Sequence, residues 1–318
     1  MKLNYPDTAS DRNKWILERR PARSALNPRE PYGFFHEEER SGEGEVVPVN
    51  TVLLTNRECP FRCVMCDLWR NTLAESVPIG AISEQIDFAL ARLPRARVVK
   101  LYNSGSFFDP KAIPVEEYGS IAARLQAFER VIVECHPALV GDSCLLFRDM
   151  TSGKLEVAMG LETAHEGVLQ KLNKRMTLGQ FAAAADFLQR HRIGLRAFIL
   201  VQPPFMRRED ALYWARRSVE FAFECGATAA TLIPTRGGNG AMETLAEIGE
   251  FESPDLRVLE SALANGLKLD RGRVFADLWD AKQKSECAWC FDARLARLRA
   301  MNLSQTIADA VRCDKCEG

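Results

Sequence analysis

Short apolar runs alternate with amphipathic segments through the middle of the chain. Each run has the length of a strand and is rich in β-branched residues. Six of them stand out: VVPVNTVLLTN, VVKLYN, VIVEC, LEVAMGLE, LRAFILV and ATLIP. Alternation with helices predicts parallel βαβ units, and right-handed crossovers would curl these units into a barrel. Because six units are too few for the usual eight-stranded closure, we predict an α/β fold with an open partial (βα)6 TIM-like barrel.

The intervening segments have the periodicity of amphipathic helices. In TLGQFAAAADFLQRH, Thr177 and Gln180 form a predicted capping box. Phe181, Ala184 and Leu188 then share one face. A further short helix is predicted in DTASDRNKWILERR, with Ser10 or Asp11 as its N-cap.

Three parts are predicted along the chain. Residues 1–46 form an N-terminal extension, in which a helix precedes a stretch rich in Pro, Gly and Glu. Residues 47–245 form the partial barrel. Residues 246–318 form a small cysteine-containing C-terminal extension, with a helix at 254–267, a candidate strand in RVFADLW and two CxxC pairs.

Charge and composition exclude few functions. The 318 residues include 42 Lys and Arg against 43 Asp and Glu, so no global basic excess indicates a nucleic-acid partner. Two locally basic segments, ERRPAR and DARLARLRA, are interpreted as solvated helix surface. The polar N-terminus lacks a signal peptide, and no apolar run reaches the roughly 18 residues of a membrane span. We therefore expect a cytoplasmic protein with no membrane partner.

The ten cysteines change this picture. Thiols stay reduced in the cytosol, so metal ligands or buried thiols are expected rather than disulfides. Cys135, Cys144 and Cys225 stand alone and are interpreted as small buried hydrophobic residues. The other seven cysteines fall into spaced groups: Cys59, Cys63 and Cys66, then Cys287 and Cys290, then Cys313 and Cys316.

Cys59, Cys63 and Cys66 have the spacing C-x3-C-x2-C and lie just beyond the first predicted strand. Functional residues cluster at the carboxyl ends of parallel strands. Three thiolates can hold a [4Fe-4S] cluster by three of its irons and leave the fourth iron open to another ligand. The alternative is a three-cysteine zinc site with a distant fourth ligand.

ECPFRCVMC, followed in order by YNSGSFFD, VECHP and GLET…VLQKLNKRMT, resembles the radical S-adenosylmethionine (SAM) superfamily. The resemblance covers residues 45–245. It is strongest to the branch with the Elongator catalytic subunit, the methylthiotransferases and the nitrogenase-cofactor radical protein, and above all to the radical subunit of archaeosine synthase. It implies a [4Fe-4S] cluster at Cys59, Cys63 and Cys66. It also implies reductive cleavage of SAM to a 5′-deoxyadenosyl radical, which abstracts hydrogen from a substrate.

The resemblance also implies partners and a substrate class. The expected reductant is a protein of the flavodoxin or ferredoxin type. Modification of a tRNA nucleobase is the first hypothesis, with tRNA or a partner subunit as partner. The alternatives are a radical SAM enzyme that acts on a small metabolite or peptide, and a non-catalytic iron–sulfur or zinc protein.

Residues at the strand ends match cofactor-binding positions of the superfamily. Met65 stands where an aromatic residue often packs against adenine. Glu134 contacts a ribose hydroxyl or the cofactor ammonium, or else pairs with a barrel Arg or Lys. Glu162 resembles a ribose-contacting position. Ser104, Gly105 and Ser106 match the loop that meets the methionyl amino group, with an ordinary strand-to-helix turn as the alternative. Lys174 or Arg175 is expected near the methionyl carboxylate or else at the surface. Gln202 is expected at the barrel mouth.

Two further features remain open. IPTRGGNGAM contains Arg236 and a glycine-rich loop, a candidate for substrate contact or gating. Its alternative is a plain glycine-rich loop. The C-terminal set Cys287, Cys290, Cys313 and Cys316 suits structural zinc, a second [4Fe-4S] cluster or unligated thiols.

Overall fold

The computed structural model describes residues 4–279, 281–284 and 287–316. One eight-stranded sheet runs through the molecule, and its strands are neighbours in chain order. The first two strands are antiparallel, and all later neighbours are parallel. The strands are β1 (Gly33–Arg40), β2 (Val46–Leu53), β3 (Val98–Tyr102), β4 (Arg130–Cys135), β5 (Lys154–Glu162), β6 (Gly194–Val201), β7 (Ala229–Pro234) and β8 (Arg273–Ala276).

The six predicted strands coincide with β2 to β7, and the curled α/β half-barrel is confirmed. The sheet has two strands besides these six: β8 lies within the candidate strand RVFADLW that the sequence predicts, whereas β1 was not predicted. β1 forms a hairpin with β2 at one edge, and β8 continues the parallel order at the other edge. Both edge strands come from outside the range 47–245.

Helices connect the parallel strands and cover the outside of the sheet. The α-helices are α1 (Ala9–Leu17), α2 (Ala81–Leu90), α3 (Tyr118–Arg124), α4 (Asp142–Met150), α5 (Glu166–Lys171), α6 (Leu178–Arg190), α7 (Ala211–Glu224), α8 (Ala241–Glu247), α9 (Leu256–Leu267) and α10 (Phe291–Ser304). Short 3-10 helices occupy Leu68–Asn71, Val115–Glu117, Pro137–Leu139, Arg208–Asp210 and Ala281–Lys284.

Side-chain caps explain where two of these helices begin. In α6, Thr177 Oγ1 accepts a hydrogen bond from the Gln180 amide at 3.2 Å, and the Thr177 amide donates to Gln180 Oε1 at 2.9 Å. The predicted capping box is therefore confirmed. In α1, Thr8 is the N-cap and accepts from the Asp11 amide at 3.2 Å. The predicted N-cap, Ser10 or Asp11, was wrong, because the helix starts earlier.

The largest hydrophobic core lies between the outer face of the sheet and the helices. Strand residues such as Leu101 and Val133 pack there against Ile86 and Phe147. Cys135 and Cys144 are buried as predicted, whereas Cys225 is only half-buried. The helices thus exclude water from the outer face of the sheet. The inner face remains available for polar side chains.

Helix α10 packs against both edge strands, β1 and β8. Asn302 exchanges two hydrogen bonds with the backbone of Ala276, at 2.8 and 2.9 Å. Gln305 does the same with Val274, at 2.7 and 3.0 Å. These side chains form hydrogen bonds with backbone N–H and C=O groups of β8. In an exposed edge strand such groups would be unpaired. Among the described helices, none combines the length and apolar character needed to cross a membrane.

Candidate functional site

A cavity of about 890 Å³ opens on the inner side of the sheet. Its wall is built from the inner faces of the strands, the loop after β2 and part of α10. Most of the predicted site residues line this cavity: Cys59, Cys63, Met65, Cys66, Ser104, Gly105, Glu134, Glu162 and Lys174.

The cysteine loop is held from one side by the segment after α5. The Val64 amide donates to the Leu172 carbonyl at 3.0 Å, and Asn173 Nδ2 donates to the Arg62 carbonyl at 2.7 Å. These bonds fix the loop backbone between Cys59 and Cys66, although the two segments are far apart in sequence.

The glycine-rich loop after β7 holds the same cysteine loop from the other side. Asn239 is buried, and its Nδ2 donates to the carbonyls of Val64 and Cys66 at 2.8 and 3.1 Å. Arg236 Nε donates to Asp67 Oδ2 at 3.0 Å. The glycine-rich loop therefore helps to fix the conformation of the cysteine loop. This role is additional to the substrate contact or gating for which its sequence made it a candidate.

The three loop thiols lie in a poorly hydrated environment. Burial raises the pKa of Cys59, Cys63 and Cys66 to about 12 each. Without a metal, the thiols therefore hold their protons at neutral pH. A metal that binds them must displace those protons, which couples metal binding to pH.

Gly105 brings the loop after β3 against the cysteine loop. A side-chain carbon at this position would lie 3.2 Å from Cys59 Cβ, which is tighter than most packing contacts. The flanking serines hold the loop: Ser104 Oγ is 2.8 Å from Tyr32 Oη, and Ser106 Oγ accepts from the His136 amide at 2.8 Å. Ser106 does not line the cavity, so it supports the loop from behind.

Glu134 lies at the end of β4, beneath this loop. Its Oε1 accepts hydrogen bonds from the amides of Asn103 and Gly105, the latter at 3.3 Å. The side chain thus contacts the loop backbone rather than the barrel Arg or Lys that we had considered. Burial raises the pKa of the Glu134 carboxyl to about 7, and the amide hydrogen bonds oppose this rise only in part.

Glu162 and Lys174 form a buried ion pair on the cavity wall. Lys174 Nζ donates to Glu162 Oε1 at 2.7 Å. Burial alone would lower the pKa of Lys174, but the neighbouring Glu162 carboxylate outweighs it and holds that pKa above its ordinary value. Lys174 therefore carries a positive charge near the three cysteines.

Gly160 makes room for this ion pair, and the sequence analysis missed it. A side-chain carbon there would lie 2.3 Å from Glu162 Oε1 and 2.6 Å from Lys174 Nζ. A glycine inside a strand, as in MGLE, often marks such a close approach and was the available signal.

Two predicted cofactor-binding residues lie elsewhere. Arg175 is exposed and does not line the cavity. Gln202 is buried, and its Nε2 donates to the Glu252 carbonyl at 2.9 Å, also away from the cavity wall. Of the alternatives Lys174 and Arg175, only Lys174 lines the cavity.

His136 has a structural role beside the cysteine loop. Its ring stacks on Phe61 with centroids 3.7 Å apart, and Nε2 lies 2.9 Å from the Lys174 carbonyl. Burial lowers the pKa of His136 to about 3, so the ring is neutral at physiological pH.

The two basic segments are engaged with acidic groups inside the molecule. Arg20 pairs with Glu58 at 2.7 Å, and Arg294 pairs with Glu260 at 2.6 Å. The interpretation as solvated helix surface was therefore wrong for these arginines. Arg299, by contrast, is exposed and lines the cavity.

The donor set fits the group that the sequence predicts. Three thiols on one loop border an open cavity, a loop whose glycine permits close backbone approach and a buried ammonium group. Thiolates suit iron–sulfur clusters, and the ammonium would offset the negative charge that they bring.

Sequence comparison identifies distant relatives. Archaeosine synthase subunit beta from Methanosarcina acetivorans is 24% identical over 269 residues, which are 80% of this chain and 77% of that protein. An uncharacterised protein of Methanocaldococcus jannaschii is 24% identical over 222 residues. That match spans 65% of this chain and 61%, less than two thirds, of that relative. No protein-family model matches the chain.

Structure comparison shows the same fold in two radical SAM proteins. Methylornithine synthase matches with a TM-score of 0.54 and 15% identity, over 79% of this chain and 68% of that chain. Elp3 from Methanocaldococcus infernus, lacking its N-terminus, matches with a TM-score of 0.51 and 8% identity, over 70% and 58%. The predicted resemblance to radical SAM proteins and to archaeosine synthase subunit beta is confirmed.

Proposed function

We propose that this chain, which has the fold of radical SAM enzymes, uses Cys59, Cys63 and Cys66 to hold a [4Fe-4S] cluster that leaves one iron open to SAM. When bound, the cluster and SAM supply the 5′-deoxyadenosyl radical that takes a hydrogen atom from the substrate. The observation that carries this proposal is the position of three loop thiols on the wall of the 890 Å³ cavity. A closed structural site would need a fourth protein ligand.

The surrounding residues would bind and orient SAM. Gly105 presents backbone groups to the methionyl amino group, and Lys174 offers its ammonium to the methionyl carboxylate. Glu162 holds Lys174 in place and has a second oxygen for a ribose hydroxyl. Met65 packs against the adenine. Glu134 fixes the loop amides from below, as the hydrogen bonds to Asn103 and Gly105 support.

Cofactor cleavage tests this proposal directly. Anaerobically reconstituted protein should produce 5′-deoxyadenosine from SAM and a strong reductant, whereas Cys63→Ala should produce none. The half-buried Cys225→Ala, which lies outside the cavity, is the matched control and should retain activity. No product from a wild-type sample with a spectroscopically confirmed, reducible cluster would contradict the proposal.

For the substrate, we propose a tRNA nucleobase, acted on together with a partner subunit. The similarity to archaeosine synthase subunit beta supports both. The cavity lining supports a flat, charged substrate: Trp279 is 59% exposed, its ring lies 5.2 Å from that of Phe35, and Arg299 lines the same cavity. Aromatic faces stack on unpaired bases, and arginine binds phosphate.

RNA binding separates this substrate from the alternatives. The isolated chain should bind unmodified tRNA transcript at low salt, and binding should weaken steeply as salt rises. Trp279→Ala should weaken binding, whereas the exposed Tyr213→Ala, outside the cavity, should not. Two outcomes would favour a small metabolite or peptide as the substrate instead. One is tRNA binding that changes neither with salt nor in either variant. The other is no tRNA binding, whether or not a partner subunit is present.

The remaining assignments follow from the same chemistry. We propose a flavodoxin- or ferredoxin-type electron donor and a reducing, cytosolic location, because the cluster needs a low-potential electron and reduced thiols. The four C-terminal cysteines are brought together as a group that could bind a metal.

A further inference from the structure

The four C-terminal cysteines form a second site, separate from the catalytic cavity. Cys287, Cys290, Cys313 and Cys316 do not line that cavity, yet their Sγ atoms all lie within 4.8 Å of one another. Cys287 and Cys313 are 3.9 Å apart, and Cys290 and Cys316 are 3.8 Å apart. These separations are far longer than a disulfide bond of about 2.05 Å.

The separations distinguish between the two metals that the spacing left open. Four thiolates at about 2.3 Å from one tetrahedral zinc ion lie about 3.8 Å from one another. In a [4Fe-4S] cluster each thiolate binds a different iron, so the four sulfurs surround the whole cluster and must lie farther apart. The observed set is therefore the size of a site for a single ion.

Arginines of α9 and α10 place positive charge beside the four thiols, as a zinc–thiolate site requires. A divalent ion with four thiolates has a net charge of −2, which is costly next to a protein interior unless positive groups lie close. Arg294 Nε donates to Cys290 Sγ at 3.2 Å, while its Nη1 donates to Glu260 Oε2 of α9 at 2.6 Å. Arg257, also on α9, donates to the Cys316 carbonyl at 3.2 Å.

The site connects the two ends of α10. Cys287 and Cys290 come directly before the helix, and Cys313 and Cys316 follow it. Between them, α10 lies against both edge strands and contributes Arg299, Asn302 and Leu303 to the cavity wall. A metal that joins these segments would fix the helix and, with it, one side of the cavity.

We propose that Cys287, Cys290, Cys313 and Cys316 bind one structural zinc ion, which fixes α10 across the gap between β1 and β8 and so shapes the substrate side of the cavity. This ion has a closed, four-thiolate coordination and takes no part in electron transfer. The proposal does not depend on the substrate or on SAM cleavage.

Metal analysis of a variant without the catalytic cysteines tests the identity of the ion. The triple variant C59A/C63A/C66A, purified anaerobically from cells supplied with iron and zinc, should contain about one zinc per chain and no cluster. Replacing zinc by Co²⁺ should give the visible bands of tetrahedral cobalt thiolate. A [4Fe-4S] absorption or EPR signal in this variant, or no bound metal at all, would overturn the proposal.

Hydrogen exchange tests the positioning of α10. In a chain with intact Cys59, Cys63 and Cys66, C313S/C316S should lose zinc but keep the absorption of the catalytic cluster. The amides of α10 and β8 should then exchange faster, while those of β4 and β5 should not change. Cys225→Ser is the matched control and should keep zinc and normal exchange. Unchanged protection of α10 after zinc loss would refute the positioning role.

Discussion

At the scale of single residues, the site depends on glycines, which have no side chain, as much as on the polar residues around them. Gly160 leaves the space in which Glu162 and Lys174 meet, and Gly105 leaves the space beside Cys59. Both glycines occur in segments that carry candidate site residues, yet the sequence pattern indicates a role only for Gly105. The reason is physical: the need for Gly160 arises from an ion pair whose lysine comes twelve residues after Glu162.

Gly160→Ala tests this spatial requirement. Its methyl group would overlap both Glu162 Oε1 and Lys174 Nζ, so we expect the ion pair to separate and SAM binding to weaken at least tenfold. Equilibrium binding of SAM to the reconstituted protein measures the effect. Gly119→Ala is a suitable control, because nothing lies within 4 Å of its new carbon. Equal affinities of the two variants for SAM would contradict this role.

Glu134 predicts a specific pH dependence of stability. Burial raises the pKa of its carboxyl from 4.5 to about 7 in the folded chain. Between these values the folded state binds more protons than the unfolded state, so this group makes the free energy of unfolding fall as pH rises. The full effect is on the order of 3 kcal/mol, fully expressed above pH 7.

Glu134→Gln removes the titration and keeps the size and one acceptor oxygen. Urea unfolding of the metal-free protein between pH 4.5 and 8 should therefore show a flatter pH profile for the variant, which should be relatively more stable at high pH. If the free energy of unfolding depended on pH in the same way in both proteins, the pKa of the Glu134 carboxyl would not be raised by folding.

At the scale of elements, local signals predicted most of the fold. The strands β2 to β7 were readable because each is a continuous apolar run between helices, as buried parallel strands require. β1 was missed because its inward positions carry Glu37 and Glu39, which bind Lys100 in the barrel interior. A strand whose inner face is charged shows no alternation of apolar and polar residues. Such a strand can be recognised only once the groups that pair with it are known.

Thr177→Ala tests a local signal that the sequence did reveal. Loss of the hydroxyl leaves the Gln180 amide without its hydrogen-bond acceptor at the start of α6. We therefore expect the free energy of unfolding to fall by about 1 kcal/mol. Thr177→Ser keeps the hydroxyl and should remain within a few tenths of a kcal/mol of the wild type. Chemical denaturation measures both, and similar losses in the two variants would show that the methyl group, not the cap, matters.

At the scale of the whole molecule, the sheet is completed by segments from both ends of the described chain. β1, β8 and α10 close around the partial barrel, and Arg273 of β8 donates to the Arg40 carbonyl of β1 at 3.1 Å. The cysteine loop likewise depends on Asn239, which lies 173 residues beyond Cys66. Neither relation leaves a local pattern in the sequence. The spacing of the three loop cysteines could therefore be recognised from the sequence, whereas the residues that support their loop could not.

A buried ion network lies in the barrel interior near the amino ends of the parallel strands. Arg196 is 2% exposed and lies between two carboxylates: its Nε is 2.9 Å from Glu156 Oε1, and its Nη1 is 2.9 Å from Glu39 Oε2. Because these groups lie on β6, β5 and β1, the network connects distant strands across the barrel interior.

Arg196→Met should therefore destabilise the whole fold rather than one element. The substitution keeps much of the side-chain volume but leaves Glu39 and Glu156 buried with less positive charge, so we expect a loss of about 3–5 kcal/mol in the free energy of unfolding. Arg190→Met is the control: its pair with Asp186 at 2.6 Å is exposed on both sides and should contribute less than about 1 kcal/mol. Chemical denaturation at neutral pH compares the two. A small loss for Arg196→Met would mean that water or the remaining Lys100 and Arg273 already neutralise the carboxylates, and that apolar packing alone holds the amino end together.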